Sequence, residues 1–160
     1  MCSSDLPAPR AVGAYAPARR IGTTLWVSGV TGRGPDGPGP VGVVGDTVSL
    51  DEAQTAARRA AANLLSLIED TVGLAHVTAL GHLRGYVRAT AAFERHPAVI
   101  DAASQVLAAA LGPQAGAHAR TALGVASLPG GAADPTLGAD IKSVAGVGSG
   151  EWQNRSERDG

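Results

Sequence analysis

The chain has a single cysteine, Cys2, in 160 residues. No disulfide can form within it, which fits a reducing cytoplasm. With that cysteine and four scattered histidines, no zinc-ligand spacing appears, and no metal is expected. Aromatic residues are equally scarce: one Phe, two Tyr and two Trp. The core must therefore be built from Ala, Val and Leu, which bury little area per residue at roughly 25 cal/mol per Å². Such a protomer gains by burying more surface against copies of itself. Charged residues make up 17% and the formal net charge is −1. Without a block of Lys or Arg, a nucleic-acid partner held through phosphates is not expected. No apolar run reaches the ~18 residues that a membrane span requires. The first ten residues, MCSSDLPAPR, have no apolar signal-peptide segment, so a cytoplasmic location is expected. An apolar share of 44% at near-zero net charge excludes disorder for most of the chain.

What is present reads as one domain over residues 11–145. A loose arm precedes it at 1–10, and a tail of disordered composition follows at 146–160. Two extended runs at 14–20 and 24–30 flank Ile21-Gly22-Thr23, which suits a hairpin turn. The Gly- and Pro-rich stretch 32–45 is loop. Ser49-Leu50-Asp51-Glu52 is a capping box, in which the Ser and Glu side chains each satisfy a free N–H of the other's backbone. It opens a helix over 50–72 with Ala53, Ala56, Ala60, Leu64, Leu67 and Ile68 on its buried stripe and Gly73 as its stop.

Residues 76–88 read as a strand. Alternation puts Val77, Ala79, Gly81, Leu83, Gly85 and Val87 on one small apolar face, and Thr78, Leu80, His82, Arg84, Tyr86 and Arg88 on the other. A second helix starts at Pro97 and ends at Gly112-Pro113, burying Val99, Ile100, Ala103, Val106, Leu107, Ala110 and Leu111. Strands at 118–128 and 137–145 complete the order β-β-α-β-α-β-β. The expected class is α+β, a mixed sheet with both helices on one face.

Nucleotide and hydrolase signatures are missing: there is no GxxxxGK[ST], no GxGxxG opening a helix and no GxSxG. Four local features remain. Arg120 lies in a strand on a face whose next members are Ala122, Gly124 and Ala126. It reads either as an edge Arg turned to solvent or as an anion-holding fork. Ser28-Gly29 ends an apolar strand, which makes it a plain terminus or the wall of a cleft. Tyr15 is a half-buried packing residue or a cleft residue. The four histidines have no mutual spacing that marks a site.

Three segments in order resemble the RidA family, also called YjgF-like or endoribonuclease L-PSP-like. They are Gly13-Ala14-Tyr15-Ala16-Pro17-Ala18 followed by Leu25-Trp26-Val27-Ser28-Gly29; then the helix with Ala56 and Asn63-Leu64, leading to Gly73 and the strand 76–88; then Ala119-Arg120-Thr121-Ala122 running to Leu128-Pro129. The resemblance spans about residues 10–145, and the wording AGAHARTALGVASLP is most similar to a less characterised branch.

The resemblance implies a chorismate-mutase-like α+β fold and a homotrimer with clefts between neighbouring subunits. It also implies hydrolysis of enamines and imines derived from amino acids to 2-keto acids and ammonia, a deaminase chemistry without metal or cofactor. On this reading Arg120 grips the substrate carboxylate, Tyr15, Ser28 and Gly29 shape the cleft, and Asp140 orients the water. The chain departs from the family pattern in three places. Thr121-Ala122 stand where a Cys is usual, no Asn occurs near Phe93–Pro97, and Asp140 takes the place of a Glu. The alternative is a trimer that binds a small carboxylate in the same cleft without turnover, as a sensor or accessory protein. A ribonuclease, which the family's older name suggests, is disfavoured by the charge of −1.

Overall fold

The computed structural model describes residues 8–144. The expected tail at 146–160, and residues 1–7 of the expected arm, lie outside the described residues. The elements run β1 (Ala18–Ile21), β2 (Thr24–Val30), α1 (Leu50–Thr71), β3 (Val77–Arg88), α2 (His96–Ala115), β4 (Ala119–Val125) and β5 (Thr136–Ser143). They form an α+β fold of the chorismate-mutase type, a five-stranded mixed sheet in the order β1-β2-β5-β3-β4. All neighbours pair antiparallel except β3 and β4. Those two are parallel because α2 carries the chain back between them. The loop expected at 32–45 contains only isolated bridges.

Both helices cover one sheet face. Leu64, Leu65 and Ile68 of α1 and Ile100 and Leu107 of α2 join Leu25, Leu83, Leu137, Ala139 and Ile141 of the sheet in a single core. The Ser49 capping box is present, with Ser49 N–H donating to Glu52 Oε2 at 2.9 Å and Glu52 N–H to Ser49 Oγ at 3.3 Å. All six residues expected on the α1 stripe are buried. The small face of β3 has a direct cause at Gly85, where a Cβ would meet Ile100 Cδ1 at 2.5 Å. Here α2 rests on the backbone of the sheet.

Three expectations are corrected. Strict alternation along β3 fails because the register with β5 slips between Val77 and Ala79 and again between Leu80 and His82. Each bulge inserts one residue and reverses the parity. Leu80 is therefore buried with Leu83 while Gly81 is exposed. Ala110 is exposed, not buried. It lies close to the end of α2, where Gly112 leaves helical geometry at φ 85° and Pro113 follows. Three strands have shifted bounds: β1 begins at Ala18, so Tyr15 precedes it, β4 stops at Val125, and β5 covers Thr136–Ser143.

Candidate functional site

The expected site residues fall in three places: Tyr15, Ser28 and Gly29 around β2, Arg120 on the far edge strand β4, and Asp140 on β5 between them. At the first, β2 is bulged between Val27 and Val30, where three steps on β2 face two on β5. Ser28 and Gly29 are the bulged residues. The bulge turns Ser28 toward the incoming chain: its Oγ–H donates to Ala16 O at 2.7 Å and its N–H to Pro17 O at 2.9 Å. Gly29 is required by contact, since a Cβ there would lie 2.7 Å from Thr136 Cγ2. Tyr15 is held over this point by a tight turn, Tyr15 N–H to Gly13 O at 2.8 Å, and is 52% exposed. Together Tyr15, Ser28 and Gly29 line a shallow cleft with Arg10, Pro17 and Leu67. Arg10, assigned to the arm in the sequence, adds a cation to the cleft.

The second cluster surrounds Arg120 on β4, the far edge strand. Its register partner Leu83 is fully buried beneath the helices, and neighbours in register share a face. Arg120 therefore points to the α2 side. Its Nη1 donates to Asp101 Oδ1 at 2.7 Å and to Ser104 Oγ at 3.2 Å. Asp101 and Ser104 are three apart on α2 and so share one helix face. His118, just before β4, lies 3.0 Å from Ser104 Oγ through Nε2 and 2.7 Å from Gly116 O through Nδ1. Sequence reasoning missed Asp101, Ser104 and His118. The i, i+3 spacing was visible, but the partner strand lies 14 to 19 residues away.

Asp140 is elsewhere. Its Oδ2 accepts from Arg84 Nη1 at 2.7 Å. Arg84 adjoins Gly85, which faces α2, so Arg84 and Asp140 occupy the opposite, open face. The Asp140 hydrogen bond, helped by its charge, raises the pKa of the Arg84 guanidinium against a smaller desolvation effect. Asp140 Oδ1 has no hydrogen-bond partner. Within one protomer the sheet thus separates Asp140 from Arg120. Four strands, β2, β5, β3 and β4, lie between Ser28 and Arg120 inclusive, about 14 Å at the usual strand spacing. Among the described residues no group of three or more His, Cys, Asp or Glu could hold a metal ion. No helix there is long and apolar enough to cross a membrane.

The helix-backed mixed sheet is shared with known proteins. The chain is 34% identical to protein TCP17 of Trypanosoma cruzi over 113 residues, 70% of this chain and 71% of that protein. Among solved structures, the Agrobacterium tumefaciens protein Atu1372, of unknown function, is 32% identical at a TM-score of 0.78, covering 81% of this chain and 84% of that one. RidA from an Antarctic Psychrobacter shares the fold at 21% identity and TM-score 0.56, with coverage of 89% and 96%. Escherichia coli TdcF with bound serine does so at 18% and 0.62, with coverage of 90% and 97%. No family model matches the chain. The chain belongs to the RidA/YjgF/L-PSP family.

Proposed function

We propose that this protein is a RidA-type deaminase that hydrolyses enamines and imines derived from amino acids to 2-keto acids and ammonia. The observation that carries the reading is the Arg120–Asp101 contact. A guanidinium on an edge strand already holds a carboxylate, Nη1 to Oδ1 2.7 Å, and that carboxylate belongs to a side chain 55% exposed. An exposed pair of this kind contributes only about 0.2–1 kcal/mol. A small acid can therefore take the place of Asp101 at little cost, in the geometry Asp101 marks. TdcF, with serine bound, supports a small amino-acid-like ligand on this fold.

The cleft is completed by a second copy. Tyr15, Ser28 and Gly29 lie toward one end of the sheet and Arg120 on the other, so a head-to-tail contact places the Arg120 edge of one subunit against the Tyr15 end of the next. Such heterologous contacts close into rings, and the family reading makes the ring a homotrimer. Exposed Trp26 and Leu123 are surface such an assembly covers. Asp140 has Oδ2 held by Arg84 and Oδ1 buried without a partner, so the reading does not assign it the water. Imine hydrolysis of this kind needs orientation and hydrogen-bond partners rather than a strong electrophile.

The second reading, binding of a small carboxylate without turnover, is favoured by Thr121-Ala122, which put no thiol beside Arg120. One experiment separates the two. 2-Iminopropanoate is generated in situ by an amino-acid oxidase acting on alanine, and its decay is followed with and without the protein. Accelerated decay supports the deaminase. Decay at the buffer rate, with pyruvate raising the melting temperature, supports the binding protein.

A further inference from the structure

The Arg120 cluster contains a second arrangement, in which every hydrogen-bond role is forced by a neighbour with only one role to play. The Gly116 carbonyl can only accept, so His118 Nδ1, 2.7 Å away, carries the proton. In the neutral ring Nε2 then presents a lone pair to Ser104 Oγ at 3.0 Å. Arg120 can only donate, so Ser104 Oγ accepts from Nη1 at 3.2 Å and gives its own proton to Nε2. The Gly116 carbonyl is itself fixed, because Gly116 is buried and its N–H donates to Gly112 O at 2.9 Å. A hydroxyl, a base aimed at it and a third group that orients the base make up the arrangement that activates a hydroxyl or water. A mere tie between α2 and β4 would not need an imidazole with a fixed tautomer. Ser104 and His118 are both half-buried, and Asp101 beside them is exposed.

We propose that Ser104 and His118 form the proton relay of the Arg120 site. The proposal rests on the deaminase reading. A substrate carboxylate that displaces Asp101 shares Arg120 Nη1 with Ser104 Oγ, which brings the hydroxyl beside the adjacent imine carbon. Water attacks that carbon in the iminium form, and a C–O bond forms as the C=N π pair moves to nitrogen. The water proton passes to Ser104 Oγ while the Ser104 proton passes to His118 Nε2, leaving a neutral carbinolamine and an imidazolium. The imidazolium then returns its proton through Ser104 to the amine nitrogen. The C–N bond breaks, the hydroxyl oxygen forms the carbonyl and sheds its proton to the departing ammonia. Iminium and water thus become keto acid and ammonium, with the relay restored. Ser104 touches the reacting atoms, and His118 acts through it.

The test compares full-length wild type with Ser104→Ala, Ser104→Thr and His118→Gln in the iminopropanoate assay from pH 5 to 9. Asp101 of α2 and Arg120 of β4 are the charged groups bonded into the cluster that holds His118, and His82 of β3 is bonded to Thr121; the variants leave all three in place. The expected loss in kcat is about 10²- to 10⁴-fold for Ser104→Ala and His118→Gln, the usual range for a positioned acid–base group. KM should stay within about threefold, because the Arg120 grip remains. Ser104→Thr, which keeps the hydroxyl, should retain activity. Wild-type kcat/KM should fall with unit slope at acid pH, and His118→Gln should lack that limb. A His118→Gln protein with wild-type kcat and wild-type pH profile overturns the relay while leaving the deaminase standing. So does equal activity of the folded Ala and Thr variants at position 104. A wild type that leaves imine decay at the buffer rate overturns the deaminase reading, and the relay with it.

Discussion

Arg120 Nη1 and Asp101 Oδ1 stand 2.7 Å apart, so the guanidinium that would hold a substrate already holds an internal competitor. Removing the competitor should strengthen binding of a small acid. Asp101→Asn is expected to bind pyruvate about 1.5- to 5-fold more tightly, the equivalent of the ~0.2–1 kcal/mol an exposed pair is worth. Titration calorimetry reads this directly, and unchanged or weaker binding would remove Asp101 as the placeholder.

The long loop at 32–45 is pinned from within the core. Buried Asn63 on α1 donates through Nδ2 to Thr31 O and Arg33 O, both at 2.8 Å. Asn63→Ala leaves both carbonyls without this donor and should destabilise the fold by about 1–3 kcal/mol. Urea unfolding measures the loss. It should come with faster hydrogen exchange along the start of the loop.

Gly85 tests how closely α2 sits on the sheet. Gly85→Ala forces a methyl against Ile100 and should cost about 1–3 kcal/mol. Adding Ile100→Val, which shortens the side chain the new methyl meets, should recover part of that cost. A stable single mutant would show that α2 can lift away without penalty.

Asp134 gives the stability a pH dependence of definite sign. The side chain is buried, accepts Gly39 N–H at 3.2 Å and has its pKa raised chiefly by desolvation, against smaller opposing effects of that hydrogen bond and of Arg59. The folded chain therefore keeps this proton at pH values where the unfolded chain has lost it. By linkage, this contribution makes stability fall as pH rises from about 4 through the folded pKa. Glu52, whose pKa is lowered by its bonds to Ser49, contributes the opposite slope, so the comparison must be between variants. Asp134→Asn should show a more positive slope of the urea midpoint with pH than wild type just above pH 4. Identical slopes would contradict the assignment.

Much of the fold was legible in the sequence, because it follows from local chemistry. The capping box and Ala stripe of α1 and the Gly112-Pro113 break of α2 are short-range signals. Apart from Ala110 on α2, the errors came from the sheet: the two β3 bulges depend on pairing with β5 and leave no periodic trace around Gly81. The site was legible in part. Motifs marked Tyr15, Ser28 and Arg120, but no spacing shows that Arg120 turns toward α2 and Asp140 away from it. That follows from register alone. The Asp101–Ser104–His118 group was hidden for the same reason, since its members meet only when β4 docks beside α2.

The central claim, a carboxylate held by Arg120 in a cleft that two copies complete, is tested most directly by a crystal structure of the assembly with pyruvate. The expected structure is a trimer with the pyruvate carboxylate on Arg120 in place of Asp101 and with Tyr15 and Ser28 of the adjoining subunit across the same cleft. Pyruvate bound away from Arg120, or an Arg120 that faces solvent far from any subunit boundary, would contradict it.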